Sequence, residues 1–337
     1  MDTTPTLPLT ASGLTVYPRP RFKIGTNAVL MAAVHLAALI GILLVGWSWS
    51  GLALAVAAYF VRMVVVTAGY HRYFAHRSFR TSRVFQFILA VGAQSAAEKG
   101  VLWWASHHRW HHKYSDTERD VHSPRQRGFW FAHIGWLFST TWNETDPKLI
   151  PDLYKYSELR WLDRAGIHVL PTAALGLACL LIGGAYGLVW AFFVSSVMVW
   201  HGTFTINSLA HRFGSQRYAT GDDSRNNFFL AILTTGEGWH NNHHRYPGSA
   251  SQGFYWWEVD ITYYVLRLLA LFGVVWDVRR VPASVRTSQL APGGTEKHVT
   301  FASRREASAG DICQNDIACD SAPPPLDSLA VRALSSR

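Results

Sequence analysis

Four apolar runs, near residues 28–47, 52–70, 165–183 and 188–205, constrain this 337-residue chain more than any other feature. Each is close to the ~20 residues a helix needs to cross a bilayer. The connections at 48–51 and 184–187 are short and uncharged. Arg19, Arg21 and Lys23 precede the first run, and Arg and Lys are frequent from Arg72 to Arg164 and again after His211. The positive-inside rule then places both termini and both large polar segments on the cytoplasmic side. The net charge of +9 fits a protein oriented in a bilayer against anionic headgroups, with no call for nucleic acid. Three cysteines, Cys179, Cys313 and Cys319, make no disulfide framework. Residues 1–19 lack a charged segment leading into an apolar run, so no cleavable signal peptide is expected.

Two weaker apolar stretches, 84–92 and 128–142, read as helices lying in the interface. If either crossed, the histidine motifs would fall on opposite sides of the membrane. Arg62 lies inside the second run, and no acidic residue in the other runs is available to pair with it, which leaves backbone carbonyls. The expected organisation is a cytosolic segment 1–23, a membrane domain 24–280 and a disordered Ser-, Ala-, Pro- and Arg-rich tail 281–337.

The sixteen histidines cluster. His71 and His76 form H-x4-H at the end of the second run. His108, His111 and His112 form H-x2-H-H, and His240, His243 and His244 repeat that spacing. Asn207 and His211 lie four apart at the end of the fourth run. On a helix, positions i, i+3 and i+4 share a face, so each H-x2-H-H unit is expected to aim three imidazoles at one point. Asn207 and His211 share a face for the same reason. His71 and His76 do not, so they straddle a helix end or reach two metals. Two crossings separate the first two motifs from the last two, which returns all of them to one side. Nine imidazoles exceed the capacity of one metal, so two ions are implied. Neutral imidazole suits Zn, Cu, Fe and Ni, and a two-metal nitrogen site beside a membrane fits O2 chemistry at iron.

These segments resemble the membrane fatty acid desaturases of the acyl-CoA (stearoyl) class, in a bacterial form. The matching text is AGYHRYFAHRSF at 68–79, HHRWHHKYSDTERDVHSPRQRGFWFAHIGW at 107–136, NSLAHRFG at 207–214 and GEGWHNNHHRYPGSA at 236–250. The resemblance covers about residues 21–280. It implies an all-α fold of four transmembrane helices under a cytosolic helical cap, in the cytoplasmic membrane with both termini inside. It implies two iron ions (Fe2+/Fe3+) held by His71, His76, His108, His111, His112, His211, His240, His243 and His244. Asn207 would hold one iron through a water, and O2 would be the co-substrate. The implied reaction forms a cis-Δ9 double bond in a fatty acyl-CoA or acyl-lipid. Electrons would come from a separate donor such as a ferredoxin, a rubredoxin or a cytochrome b5-like protein with its reductase, because no such domain is fused.

Four further residues are candidates for substrate contact: Arg125 and Arg127 for the headgroup, Tyr59 and Met63 for the closed end of an acyl tunnel. Glu237 and Asp116 are candidates for orienting ligand imidazoles. His35, His107, His122, His133, His168, His201 and His298 fall outside the motifs and are expected to be structural. Trp103 and Trp104 replace a more polar stretch of the animal enzymes' pattern. A membrane di-iron hydroxylase or ketolase would use similar histidines and is the alternative reading. A metal transporter would carry its ligands near the bilayer midplane, whereas these lie beyond the ends of the runs.

Overall fold

The computed structural model describes residues 25–139, 142–288 and 290–291, so segment 1–23 and most of the expected tail lie outside the described residues. The fold is mostly helical. In chain order its principal helices are α1 (Thr26–Val45), α2 (Trp49–Ala75), α3 (Arg83–Gln94), α4 (Val101–Tyr114), α5 (Leu170–Ser208), α6 (His240–Arg245) and α7 (Ile261–Leu271). A two-residue antiparallel pairing joins Arg80–Thr81 to Val275–Trp276. Helices α1, α2 and α5 are long and apolar enough to cross a membrane. Their outer faces present residues such as Leu43, Leu44, Leu181 and Ile182, all largely exposed, as lipid-facing surfaces do.

Helix α5 is not one straight rod. Gly184 adopts φ +59° and ψ −154°, a conformation in effect restricted to glycine. A Cβ added at Gly187 would lie 2.6 Å from the carbonyl oxygen of Cys179, although residues eight apart on a straight helix stand ~12 Å apart. The chain therefore doubles back at Gly184. The Tyr186 hydroxyl beside this bend meets the hydroxyls of Ser48 and Ser50, each at 2.9 Å. The bend in α5 thus sits against the α1–α2 connection.

Three expectations are corrected. Segment 128–142 is not one helix: a short α-helix, Phe129–His133, breaks at Ile134 and a 3-10 turn, Gly135–Phe138, follows. The tail does not become irregular at Val281, because Ala283–Thr287 is helical and docked. There the Tyr218 hydroxyl donates to the Arg286 carbonyl at 3.1 Å, and Arg245 donates to the Ser288 hydroxyl at 3.0 Å. Arg62, lastly, is not limited to carbonyls. Its guanidinium donates to the hydroxyls of Ser195 and Ser196, both at 2.8 Å, as well as to the Ser95 carbonyl at 2.9 Å. Two serines in α5 thus solvate the charge in α2. Hydrogen bonds to charged groups contribute roughly 1.5–3 kcal/mol each. The Ser195→Ala/Ser196→Ala pair is expected to lower the unfolding temperature of the detergent-solubilised protein by several degrees. An unchanged melt would show that these hydroxyls do not stabilise Arg62.

Candidate metal centre

Helix α4 carries the second motif, α6 the third, and the end of α2 the first. Together with His211, which follows α5, they gather nine imidazoles into two clusters. Ring nitrogens of His71, His76, His108, His112 and His243 all lie within 4.8 Å of one another, and so do those of His111, His211, His240 and His244. The expectation that each H-x2-H-H unit aims at one point is therefore wrong. His108 and His112 of α4 face the five-membered cluster while His111 faces the other. In α6 the roles invert, with His240 and His244 in the four-membered cluster and His243 in the five-membered one. The helical period explains the split: i+3 and i+4 flank position i on opposite sides, ~100° apart around the axis.

His71 and His76 enter the same cluster, with ring centroids 4.9 Å apart. Residues Thr67–Ala75 are wound as a π-helix, and the His76 amide donates to the His71 carbonyl at 3.2 Å. That i+5 winding brings the H-x4-H pair onto one face, where an α-helix would not. His76 caps this turn, so the motif does straddle a helix end.

In the five-histidine cluster the Nε2 atoms face each other. His71 meets His243 at 3.0 Å, His243 meets His112 at 2.9 Å, His112 meets His108 at 3.0 Å and His108 meets His76 at 2.9 Å. A neutral imidazole has one N–H, so five mutually facing nitrogens leave lone pairs opposed, and a cation among them removes the conflict. In the other cluster His211 and His240 meet through Nε2 at 3.0 Å. His244 Nε2 and His240 Nδ1 are buried with no hydrogen-bond partner, an arrangement that native interiors avoid. Burial, then mutual repulsion, holds His108, His112, His240 and His243 well below the ordinary imidazole range. Neutral imidazole is the form that ligates metal. The donor set fits two ions of the Fe, Zn, Cu or Ni type.

Carboxylates hold the outer nitrogens. Nδ1 of His111 is 2.8 Å from Asp120, that of His211 2.9 Å from Asp116, and that of His244 2.6 Å from Asp222, while His71 pairs with Glu237. Burial disfavours charge on each carboxylate, yet the partner imidazoles outweigh it and hold all four below the usual range. The two anticipated orienting residues, Glu237 and Asp116, are thus both on imidazoles. Asp120 and Asp222 were missed. Their signal was present as acidic residues just after the second motif and in the Asp222–Asp223 pair. Arg72, also missed, bridges Glu237 at 3.0 Å and Asp260 at 2.9 Å. Asn207 lies in the last turn of α5, which ends at Ser208, so the face shared with His211 does not follow from one continuous helix.

The substrate candidates are placed differently. Arg125 is exposed and 3.6 Å from Asp223, and Arg127 donates to the Glu118 carbonyl at 3.2 Å beside the Phe131 ring. Tyr59 and Met63 are fully buried and pack on Gly202, where an added Cβ would stand 2.7 Å from the Tyr59 hydroxyl oxygen and 2.8 Å from the Met63 methyl. Trp104 stacks on Tyr70 and on His108, and its indole N–H donates to Glu98 at 3.1 Å. The Thr203 hydroxyl donates to the same carboxyl at 2.9 Å. Of the histidines outside the motifs, His35, His201 and His133 form a hydrogen-bonded row ending on Ser208. His122 packs against His111 with its ring tilted, His107 stacks on Trp103, and His168 contacts the Arg164 carbonyl. His298 lies outside the described residues.

The profile of the fatty acid desaturase family matches residues 47–277. An acyl-CoA 5-desaturase of Anemone leveillei is 40% identical over 250 residues, covering 73% of this chain and 76% of that protein. An sn-1 stearoyl-lipid 9-desaturase of Anabaena variabilis is 36% identical over 255 residues, 75% of this chain and 93% of that protein. Delta-9 acyl-lipid desaturase 1 of Arabidopsis thaliana is 36% identical over 246 residues, 71% of this chain and 79% of that protein.

Glu98 is buried beside the site, on Trp104 and Thr203. Burial pushes its pKa up to about 7, against the bonds from Thr203 and Trp104. A raised carboxyl pKa means the fold favours the protonated form, so this stabilisation is complete at low pH and is lost as pH rises through about 7. The unfolding temperature is expected to fall as pH rises from 4.5 to about 7, with Glu98→Gln removing part of that slope. An identical slope in the variant would show that Glu98 titrates normally.

Proposed function

The chain belongs to the fatty acid desaturase family, and from that premise we propose that it introduces a double bond into a fatty acyl chain at a di-iron centre. One observation carries the reading: nine inward-facing imidazoles in two adjacent clusters, built from the family's own motifs. The ligands in this reading are His71, His76, His108, His112 and His243 for one ion and His111, His211, His240 and His244 for the other, with Asn207 acting through a water. An unactivated C–H bond lies beyond the reach of any side chain, and the iron pair supplies the oxidant. The balance is one –CH2–CH2– unit, O2, two electrons and two protons giving –CH=CH– and two waters. A separate donor protein with its reductase provides the electrons.

The remaining work falls to the chain's own residues. Four crossings are the arrangement we propose, α5 contributing two because it doubles back at Gly184, with the histidine clusters on the cytoplasmic side of the inner membrane. The Trp104 ring, stacked on His108, shields the five-histidine cluster on one face. Tyr59 is fixed by its hydroxyl donating to the Leu233 carbonyl at 2.6 Å, and with Met63 it closes the far end of the acyl path. Position along a featureless chain is then read as distance from that closed end. We assign an acyl-CoA and the Δ9 position. An acyl-CoA substrate is named for the 5-desaturase relative and the 9 position for the two lipid-desaturase relatives, and each supports one half of this assignment.

The test is expression in a desaturase-deficient host, with fatty acid methyl esters analysed by gas chromatography–mass spectrometry. A new cis monoene at Δ9 is expected, absent with His108→Ala. Hydroxy or keto products without a monoene would refute desaturation. In the same assay Met63→Ala is expected to shift products from C16 toward C18, and an unchanged ratio would exclude Met63 as the end of the path.

A further inference from the structure

We propose that the two metal positions are unequal, the four-histidine centre binding its ion tightly and filling first, the five-histidine centre binding weakly and filling last. Asp116, Asp120 and Asp222 are the positioning residues that set this order. The inference rests on the reading that the nine histidines hold metal. Three of the four imidazoles in the smaller cluster, His111, His211 and His244, have Nδ1 on a buried carboxylate. In the larger cluster His71 alone has one, Glu237, among the described residues.

The charges are also compensated differently. Glu237 shares Arg72 with Asp260, so that group is close to a normal ion-pair network. The other three carboxylates are held by neutral donors besides their imidazoles. Asp116 accepts from the Ser123 hydroxyl at 2.6 Å and the Asp223 amide at 2.8 Å. Asp120 accepts from the Asp116 amide at 2.8 Å. Asp222 accepts from the Thr220 hydroxyl at 2.7 Å and the Ser224 amide at 3.1 Å. No Lys or Arg pairs with any of the three among the described residues. The smaller centre thus gathers three negative charges, none in an ion pair with Lys or Arg among the described residues, through imidazoles made more basic by them.

The larger cluster has one more imidazole, which pulls the other way. Each carboxylate behind a ligand imidazole contributes ~10–100-fold in metal affinity, and three against one neutralised partner outweighs a single neutral donor.

The experiment uses the detergent-solubilised full chain loaded with 57Fe, exposed to excess EDTA, with iron per chain followed in time. Two phases of one iron each are expected, their rates separated by ~100-fold or more. Cryo-electron microscopy of half-stripped wild type is expected to show metal density at the four-histidine centre alone. Asp222→Asn should speed the slow phase ~10–100-fold and spare the fast one, while Glu237→Gln should speed only the fast one. Release of both irons in one phase, residual density at the five-histidine centre, or an Asp222→Asn effect confined to the fast phase would overturn the order. If a variant fails to fold, the wild-type half-stripped density decides the matter. A chain that holds no metal in either cluster would sink the di-iron reading itself, whereas equal release of two irons would sink only the inequality.

Discussion

The structure depends on carboxylate–imidazole hydrogen bonds that turn histidines inward. A free imidazole can donate from either nitrogen. Once a buried carboxylate accepts from Nδ1, the tautomer is set and Nε2 must face the metal position. These carboxylates also tie the chain together. Asp116 lies in the loop after α4, in a left-handed conformation with φ +57°. It accepts from His211, beyond α5, and from the Asp223 amide at 2.8 Å. One side chain thereby joins the loop after the second motif, the chain that leaves α5 and the loop that supplies Asp222. Loss of its charge would release orientation in three segments at once.

A second network fixes the remaining cluster to α2. Arg72 follows His71 directly and reaches Glu237, Asp260 and, at 2.7 Å, the Ala250 carbonyl. Asp260 caps α7 by accepting from the Tyr263 amide at 2.9 Å. The π-helical end of α2 is therefore clamped to the segments on both sides of the third motif. π turns are rare and occur frequently at functional sites, and this buried, fully bonded arginine holds this one in place.

Much of this was legible in the sequence because it depends on local periodicity. Apolar run length marked α1, α2 and both limbs of α5. Histidine spacing marked the nine residues that converge. The assignment of each histidine to one cluster was not legible. The i, i+3, i+4 rule says that residues share a broad face, while the sorting of His108 and His112 from His111 depends on where a neighbouring centre lies. Nor does spacing reveal a π turn, so H-x4-H gave no sign that His71 and His76 meet. Arg62 was opaque because its partners, Ser195 and Ser196, are uncharged and more than 130 positions away, as an ordinary pair of serines in an apolar run. Asp120 and Asp222 were readable as acidic residues near motifs, though only tertiary contact distinguishes them from solvated ones such as Glu118.

Helix length connects the metal centre to the lipid. The 27 residues of α2 rise ~40 Å, against a hydrocarbon thickness of ~30 Å. Counted from Trp49, the surplus falls at the π-helical end, which leaves His71 standing just outside the core while Met63 and Tyr59 lie ~12 and ~18 Å deeper along the same helix. Helix α2 thus runs from the polar surroundings of the imidazoles into apolar depth. Gly202 lets both side chains press against α5 there, and the Leu233 carbonyl holds the Tyr59 hydroxyl. The positions of Tyr59 and Met63 are thus set by the same helix that carries the first histidine.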